Sequence, residues 1–203
     1  MQGLVCLGPD RTNGESTYVL LDDWVRPAPL PSRERALSTL ARRYFSAYGP
    51  ATIEDLSAWS GISMTDARSA VSEANASLIE VTIQGQPGFL LKGRLKRLTT
   101  PAAQPVRLLP AFDTYLLGYR RRDLAVPKAL QRRLQRGGGW LHPAVVVNGR
   151  GVAAWSLRRS GSGDELRVEP FARLGTVIRR GIEAEAEDVG RFLDRSLTVE
   201  IAR

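Results

Sequence analysis

The stretch Thr52-Ile53-Glu54-Asp55-Leu56-Ser57-Ala58-Trp59-Ser60-Gly61-Ile62-Ser63-Met64-Thr65-Asp66-Ala67-Arg68-Ser69-Ala70-Val71 holds two helix starts on either side of one glycine. Thr52 followed three residues later by Asp55 has the form of a capping box, in which two short polar side chains serve the free backbone N–H groups of a first turn. Ser63 followed by Asp66 repeats the pattern, and Gly61 supplies the turn between them. Ala67, Ala70, Val71 and Ala74 then fall on one narrow apolar face. Two capped helices joined by a glycine-containing turn predict a helix-turn-helix.

Working outward, residues 32–48 place Ala36, Leu37, Leu40, Ala41, Tyr44, Phe45 and Tyr48 at helical spacing, with Arg33, Arg35, Arg42 and Arg43 on the remaining face. Pro31 suits the start of that helix and Gly49-Pro50 ends it. After the second capped helix Ile79, Val81 and Ile83 alternate with polar neighbours, residues 85–88 turn the chain, and Phe89-Leu90-Leu91 returns it. Three helices and a hairpin are the order of a winged helix-turn-helix, expected over residues 31–92.

Residues 1–30 read as a β-hairpin and linker: strands over 3–7 and 17–21, turn signals at Gly8-Pro9-Asp10 and Asn13-Gly14, then Pro27, Pro29 and Pro31. Residues 93–105 read as a basic linker, and residues 106–203 as a C-terminal α+β domain rich in strands. Within it, residues 108–119 and 128–136 have helical spacing, and 144–147 pairs with 152–157 across Asn148-Gly149. A further strand is expected at 165–169. A helix over 174–193, with Ile178, Ile182, Val189 and Phe192 inward, and a strand at 197–201 complete the α+β fold.

Across 203 residues, 43% hydrophobic and 25% charged, the composition is that of a folded globular chain. Twenty-nine Lys and Arg against 21 Asp and Glu give a net charge of +8, which favours a polyanionic partner. The single cysteine, Cys6, and single histidine, His142, speak against a disulfide framework, a metal site or a cofactor cage, so no metal and no cofactor are expected. No apolar run reaches the roughly 18 residues of a membrane span, and no signal peptide opens the chain, so a cytoplasmic protein without a membrane partner is expected.

In a winged helix the third helix enters the major groove, which makes its outward residues Thr65, Arg68, Ser69, Ser72 and Asn75 the candidates for reading base edges. Gln84 and Gln86 at the wing tip offer neutral donors, and Lys92, Arg94, Lys96 and Arg97 offer charge to the DNA backbone. A second basic group, Arg120, Arg121 and Arg122 with Lys128, Arg132, Arg133 and Arg136, faces one acid, Asp123, in its own stretch. Glu183, Glu185, Glu187 and Asp188 mark the last helix as facing away from nucleic acid. Trp59, Trp140 and Trp155 sit beside apolar residues and read as core. His142 reads as structural.

The text Arg43-Tyr44-Phe45-Ser46-Ala47-Tyr48-Gly49-Pro50-Ala51-Thr52, with Asp55-Leu56 and Trp59-Ser60-Gly61, resembles the bacterial family of winged helix DNA-binding proteins that includes the crosslink-opening DNA glycosylases. Leu108-Leu109-Pro110-Ala111-Phe112-Asp113, Leu116-Leu117-Gly118-Tyr119, Val147-Asn148-Gly149-Arg150 before Trp155, and Val168-Glu169-Pro170-Phe171 extend the likeness. The resemblance implies tandem winged helices ahead of a β-rich domain, with residues 3–24 resembling the final wing of an upstream unit. It also implies that the glycosylase Gln-x-Gln pair belongs to a region upstream of this chain. Gln84-Gly85-Gln86 has the same spelling but falls in the wing turn, so the role is not carried onto it. Asp113 matches a family motif and reads as a helix cap or ion-pair partner.

The leading expectation is therefore a non-catalytic protein that binds double-stranded DNA through the third helix, the wing and the basic segments, with no catalytic residue assigned. The alternative is a glycosylase-like repair enzyme acting on alkylated or crosslinked DNA, with Asp113, Gln84 and Gln86 as suspects. A third reading is a protein-binding module that reuses the winged helix without DNA.

Overall fold

The computed structural model describes residues 4–26, 28–83, 85–97, 106–135, 137, 139–159 and 163–202. Gln84, Arg136 and the side chain of Arg97 lie outside the described residues, as does the second half of the 93–105 segment. Two compact units divide the chain, Met1–Ala36 and Leu37–Arg203.

In the first unit, strand β1 (Val5–Leu7) pairs antiparallel with β2 (Tyr18–Leu20), Cys6 lying opposite Val19. Thr17 Oγ1 donates to the Pro9 carbonyl at 2.7 Å and closes the connection between them. A single helical turn, α1 (Leu21–Trp24), follows. Helix α2 (Arg33–Tyr48) starts here and continues into the second unit, its first turn capped by Ser32 Oγ, which accepts from the Arg35 N–H.

The second unit continues α2 into α3 (Ile53–Ser60), α4 (Met64–Ala74) and the antiparallel hairpin β3 (Leu78–Ile83) and β4 (Gln86–Leu91). Both expected caps form: Thr52 and Asp55 make a reciprocal box on α3, and Ser63 accepts from the Asp66 N–H on α4. Gly61 ends α3 at φ +75°, a left-handed conformation that costs glycine no steric penalty. The apolar stripes meet in one core of Ala41, Tyr44, Phe45, Leu56, Ala67, Ala70, Val71, Ala74 and Leu78. Ala51 exchanges both backbone hydrogen bonds with Phe89, so the α2–α3 connection is fastened to the edge of the hairpin.

The remainder is a five-stranded sheet in the order β5 (Val106–Leu109), β6 (Ala144–Val147), β7 (Arg150–Arg158), β8 (Asp164–Pro170), β9 (Leu197–Ile201), antiparallel except for the β8–β9 pair. One face carries Val145, Val147, Ala153, Leu166 and Val168 against Ile182 and Ala186 of the long helix α5 (Thr176–Leu193). The other carries Ala144, Val146 and Ala154 against Leu116, Val126, Leu134 and Leu141. All four β6 residues are buried, because this strand is covered on both faces; that explains its unbroken apolar run. Asn148 and Gly149 both adopt positive φ in the β6–β7 turn, as a tight Asn-Gly hairpin requires. Mixed α and β is thus the fold class, and among the described residues no helix is long and apolar enough to cross a membrane.

Three expectations are corrected. Residues 108–119 are not one helix: Val106–Leu109 is the edge strand β5, and only Thr114–Leu117 makes a helical turn. Pro110 breaks the leucine pattern, and pairing with β6 takes its first part into the sheet. Residues 128–136 hold a 3-10 turn at Lys128–Leu130 and a single α turn at Gln131–Leu134, with Leu134 anchored in the core. Phe192 does not face inward but is 87% exposed. Ten residues beyond Ile182, at about 100° each, it sits about 80° off the buried face.

Candidate nucleic-acid interface

On α4 the inward residues Ala67, Ala70, Val71 and Ala74 are buried, and Thr65, Arg68, Ser69, Ser72 and Asn75 are exposed. The first four of these fall at i, i+3, i+4 and i+7, so they share one helix face. Asn75 caps the helix and opens the 3-10 turn Asn75–Ser77. Exposed Glu73 lies on the same helix, its carbonyl accepting from Ser38 Oγ.

The basic residues after the hairpin divide. Lys92 donates from Nζ to the Ala76 carbonyl at 2.8 Å, Arg94 reaches Ser46 Oγ at 3.4 Å, and Lys96 is exposed. Beside them a shallow depression of about 420 Å³ is lined by Thr39, Arg42, Arg43, Ser46 and Leu91. Thr39, Arg42, Arg43 and Ser46 again follow i, i+3, i+4, i+7 spacing on α2. Helical spacing alone marks Arg42 and Arg43 as the solvent face of that helix; their periodicity with Thr39 and Ser46 is the signal for a joint surface.

The arginine triplet splits too. Arg120 and Arg121 line a cleft of about 720 Å³ together with Gln86 of the hairpin, Glu54, Asp55, Tyr119 and Asp123. Arg122 instead is half-buried and donates from Nε to the Leu116 carbonyl at 2.6 Å, a structural position beside an adjoining pocket of about 210 Å³. Arg133 likewise binds the Pro170 and Phe171 carbonyls at 3.0 and 3.2 Å and lies over the Phe171 ring. The structure therefore brings Gln86, Arg120 and Arg121 together across 35 residues of sequence, while the α4 residues line neither hollow.

Two of the three acids of the cleft, Asp55 and Asp123, are already occupied. Asp123 accepts from Arg121 Nε at 3.0 Å and Gln131 Nε2 at 2.8 Å, bonds that hold its carboxyl below the usual carboxylate range. Asp55 accepts from the Thr52 N–H and hydroxyl, each at 2.9 Å, and through its other oxygen from the Arg120 N–H at 2.8 Å. One carboxylate thus caps α3 and anchors the arginine segment. Tyr119, beside it, is pushed up to about 12, by burial first and then by the nearby Tyr115 and Asp55, so it stays a neutral hydroxyl and donates to the Tyr48 carbonyl at 2.8 Å. Asp55→Ala is expected to lose about 1–2 kcal/mol of stability, measured by urea unfolding, because a helix cap and a second hydrogen bond vanish together. Asp55→Asn, which keeps an oxygen for Arg120, is expected to lose less; equal losses would contradict this division of labour.

Asp113 meets the cap expectation: its carboxylate accepts from the Tyr115 N–H at 2.7 Å at the head of the Thr114–Leu117 turn. Glu185 does not simply face solvent but binds Arg107 Nη1 at 2.9 Å and the Leu108 N–H at 3.2 Å, tying α5 to β5. Trp140 is 59% exposed and Trp59 40% exposed, so neither is a core residue; half-buried Trp155 donates from Nε1 to the Leu109 carbonyl at 2.8 Å.

An interstrand DNA cross-link repair glycosylase from Streptomyces sahachiroi is 32% identical over 200 residues, covering 94% of this chain and 52% of that protein. The solved structure of the Streptomyces sahachiroi DNA glycosylase AlkZ superposes with a TM-score of 0.82 at 28% identity, over 99% of this chain and 55% of that one. The chain spans about half the length of these relatives. The expectation of a non-catalytic DNA binder is overturned by these findings, which favour the repair-glycosylase alternative. The non-catalytic part of that expectation rested on placing the Gln-x-Gln pair upstream of this chain, whereas the likeness covers 94–99% of the chain. The family model for DNA glycosylase AlkZ-like proteins matches residues 1–192, and the chain belongs to that family.

Proposed function

We propose that this protein is a repair glycosylase that removes alkylated or cross-linked bases from double-stranded DNA. In this reading α2, α3, α4 and the β3–β4 hairpin form a winged helix-turn-helix, with α4 as the helix presented to the major groove. The observation that carries the proposal is the likeness to a DNA glycosylase over 99% of this chain. The exposed polar face of α4, the arginines on α2 and the cleft at Gln86, Arg120 and Arg121 support contact with a phosphate backbone.

Base removal breaks the bond between the sugar C1′ and a base nitrogen, bonds a water oxygen to C1′ as that water releases one proton to solvent, and leaves the departing base with the bonding electron pair. A base alkylated on a ring nitrogen already carries positive charge and leaves readily. The protein's tasks are then to expose the base, to hold the water and to stabilise positive charge at C1′. Among the three suspects, Gln86 alone is seen at the cleft: Asp113 spends its carboxylate on a cap, and Gln84 is outside the described residues.

Incubated with methylated duplex DNA, the protein is expected to release alkylated bases faster than their spontaneous loss, as read by chromatography of the free base. Fluorescence anisotropy is expected to show duplex binding that weakens with salt. Replacing Arg94 and Lys96 with alanine should lower the slope of log affinity against log salt by about 1 for each phosphate that is no longer neutralised. Absence of base release would refute the enzymatic reading, and binding insensitive to salt would refute the proposed phosphate surface.

A further inference from the structure

Phe112 and Trp140 are both large, both substantially exposed, at 42% and 59%, and they touch, with ring centroids 5.0 Å apart. Among the described residues every other ring pair includes Tyr44, Phe45 or Tyr48 of the helical core. Phe112 also adopts φ +56°, a region that a bulky side chain rarely enters unless its surroundings hold it there. They do: its N–H donates to the Leu141 carbonyl at 3.2 Å, and Asp113 caps the turn that follows. Trp140 is held from the other side. Its N–H donates to the Gly137 carbonyl, and Leu141 beside it is buried and bridges to Gln135. Two buried anchors, Leu116 and Leu141, therefore fix two strands of loop whose aromatic residues point away from the core.

The surrounding charge is one-sided. Residues 111–117, 128–135 and 139–150 contain Lys128, Arg132, Arg133 and Arg150 against one acid, Asp113, which is committed to its cap. Arg132 and Arg150 are exposed. The turn that carries Arg150 is fastened to the Phe112 segment by the Tyr115 hydroxyl, which donates to the Gly149 carbonyl at 2.8 Å.

We propose that Phe112 and Trp140 form a stacking platform for one unpaired nucleobase of DNA, with the flanking phosphates held by Arg132 and Arg150. A nucleobase presents a flat π-face to an aromatic ring whatever its identity, and its phosphates need the cations that this surface offers. The inference rests on the DNA-repair reading and adds to it a place where a base displaced from the duplex is received.

The test compares, by anisotropy at low salt, a fully paired duplex with the same duplex carrying one bulged nucleotide. The protein is expected to bind the bulged duplex about tenfold more tightly, within the range one stacked base contributes. Trp140→Ala is expected to abolish that preference while changing paired-duplex affinity less than about twofold, and Trp140→Phe to keep it. Equal affinity of the unsubstituted protein for both duplexes overturns the platform, and so does a Trp140→Ala variant that keeps the preference or weakens both duplexes alike. Salt-dependent binding of the paired duplex would then still stand for the broader reading; loss of binding to both DNAs overturns the two together. Should Trp140→Ala fail to fold, a 2-aminopurine base in the bulge decides with the unsubstituted protein: quenching on binding supports stacking, and unchanged fluorescence overturns it.

Discussion

Phe45→Ala is expected to cost about 3–5 kcal/mol of folding stability, the usual range when a fully buried phenylalanine is cut back to a methyl group. Phe45 has no solvent exposure, meets the Tyr44 ring edge-on at 5.1 Å and the Phe89 ring at 5.7 Å, and so joins α2 to the hairpin. Against a total of about 5–15 kcal/mol for an ordinary domain, such a loss is a large fraction. Chemical unfolding followed by tryptophan fluorescence would measure it; a loss below about 1 kcal/mol would show that the site collapses around the gap, contrary to its close packing. The effect should also be local. Phe45 belongs to the helical core, whereas β6 is buried between two other clusters, so hydrogen exchange is expected to accelerate first in α2, β3 and β4 and later in β6. Phe45→Leu, which leaves a smaller cavity, should lose markedly less.

The helical half of this protein was legible because its punctuation is local. Thr52 with Asp55, Ser63 with Asp66, Gly61 and Gly49-Pro50 each act within a few residues of themselves, and every one of these caps or stops is found where the residues place it. The Asn148-Gly149 turn is of the same kind. What escaped were positions decided from far away in the chain. Leu108 and Leu109 have a spacing that suits a helix with Leu116 and Leu117, but a partner strand nearly forty residues later takes them into the sheet. Residues 128–134 have helix-forming side chains but too short a run, and the burial of Leu134 settles where their single turn stops.

The candidate interface was legible as a supply of charge and not as an arrangement. Arg120, Arg121 and Arg122 are consecutive, yet two line the cleft and one is committed to the Leu116 carbonyl. Nothing in their spelling separates them. The division follows from Asp55, sixty-five residues earlier, which accepts from the Arg120 N–H and sets the path of the chain there. Trp140 carried the opposite lesson. Its apolar neighbour Leu141 is what goes into the core, and the turn that ends at Trp140, closed by its N–H on the Gly137 carbonyl, leaves the larger ring outside.

Gly118→Ala is expected to be the most damaging single-methyl addition at the seam between the helical core and the sheet, at about 1–3 kcal/mol. The backbone is no obstacle, since Gly118 has φ −66° and ψ −12°, values any residue adopts. Space is the obstacle. A Cβ there would lie 2.4 Å from two atoms of the Tyr48 ring and 3.1 Å from the Thr114 carbonyl oxygen. The ring has little room to yield, because it is packed against Tyr44, Trp59 and Tyr119 at centroid separations of 5.1, 5.6 and 6.0 Å. The seam must open instead, and three hydrogen bonds depend on its closure: Tyr44 donates to the Gly118 carbonyl at 2.7 Å, Tyr119 to the Tyr48 carbonyl, and the Arg120 N–H to Asp55. Burial first, with Asp55 and Tyr119 close by, holds the Tyr44 hydroxyl well above the ordinary tyrosine range, so it remains the donor at any pH at which the protein is handled. Opening the seam also moves Arg120 and Arg121 away from Gln86. Gly118→Ala should therefore lower affinity for duplex DNA as well as stability, and Gly93→Ala, where an added methyl meets open space, should do neither through crowding. Unfolding and anisotropy measured on the same two variants would decide, and a Gly118→Ala protein as stable as the original would show that the Tyr48 ring can turn aside.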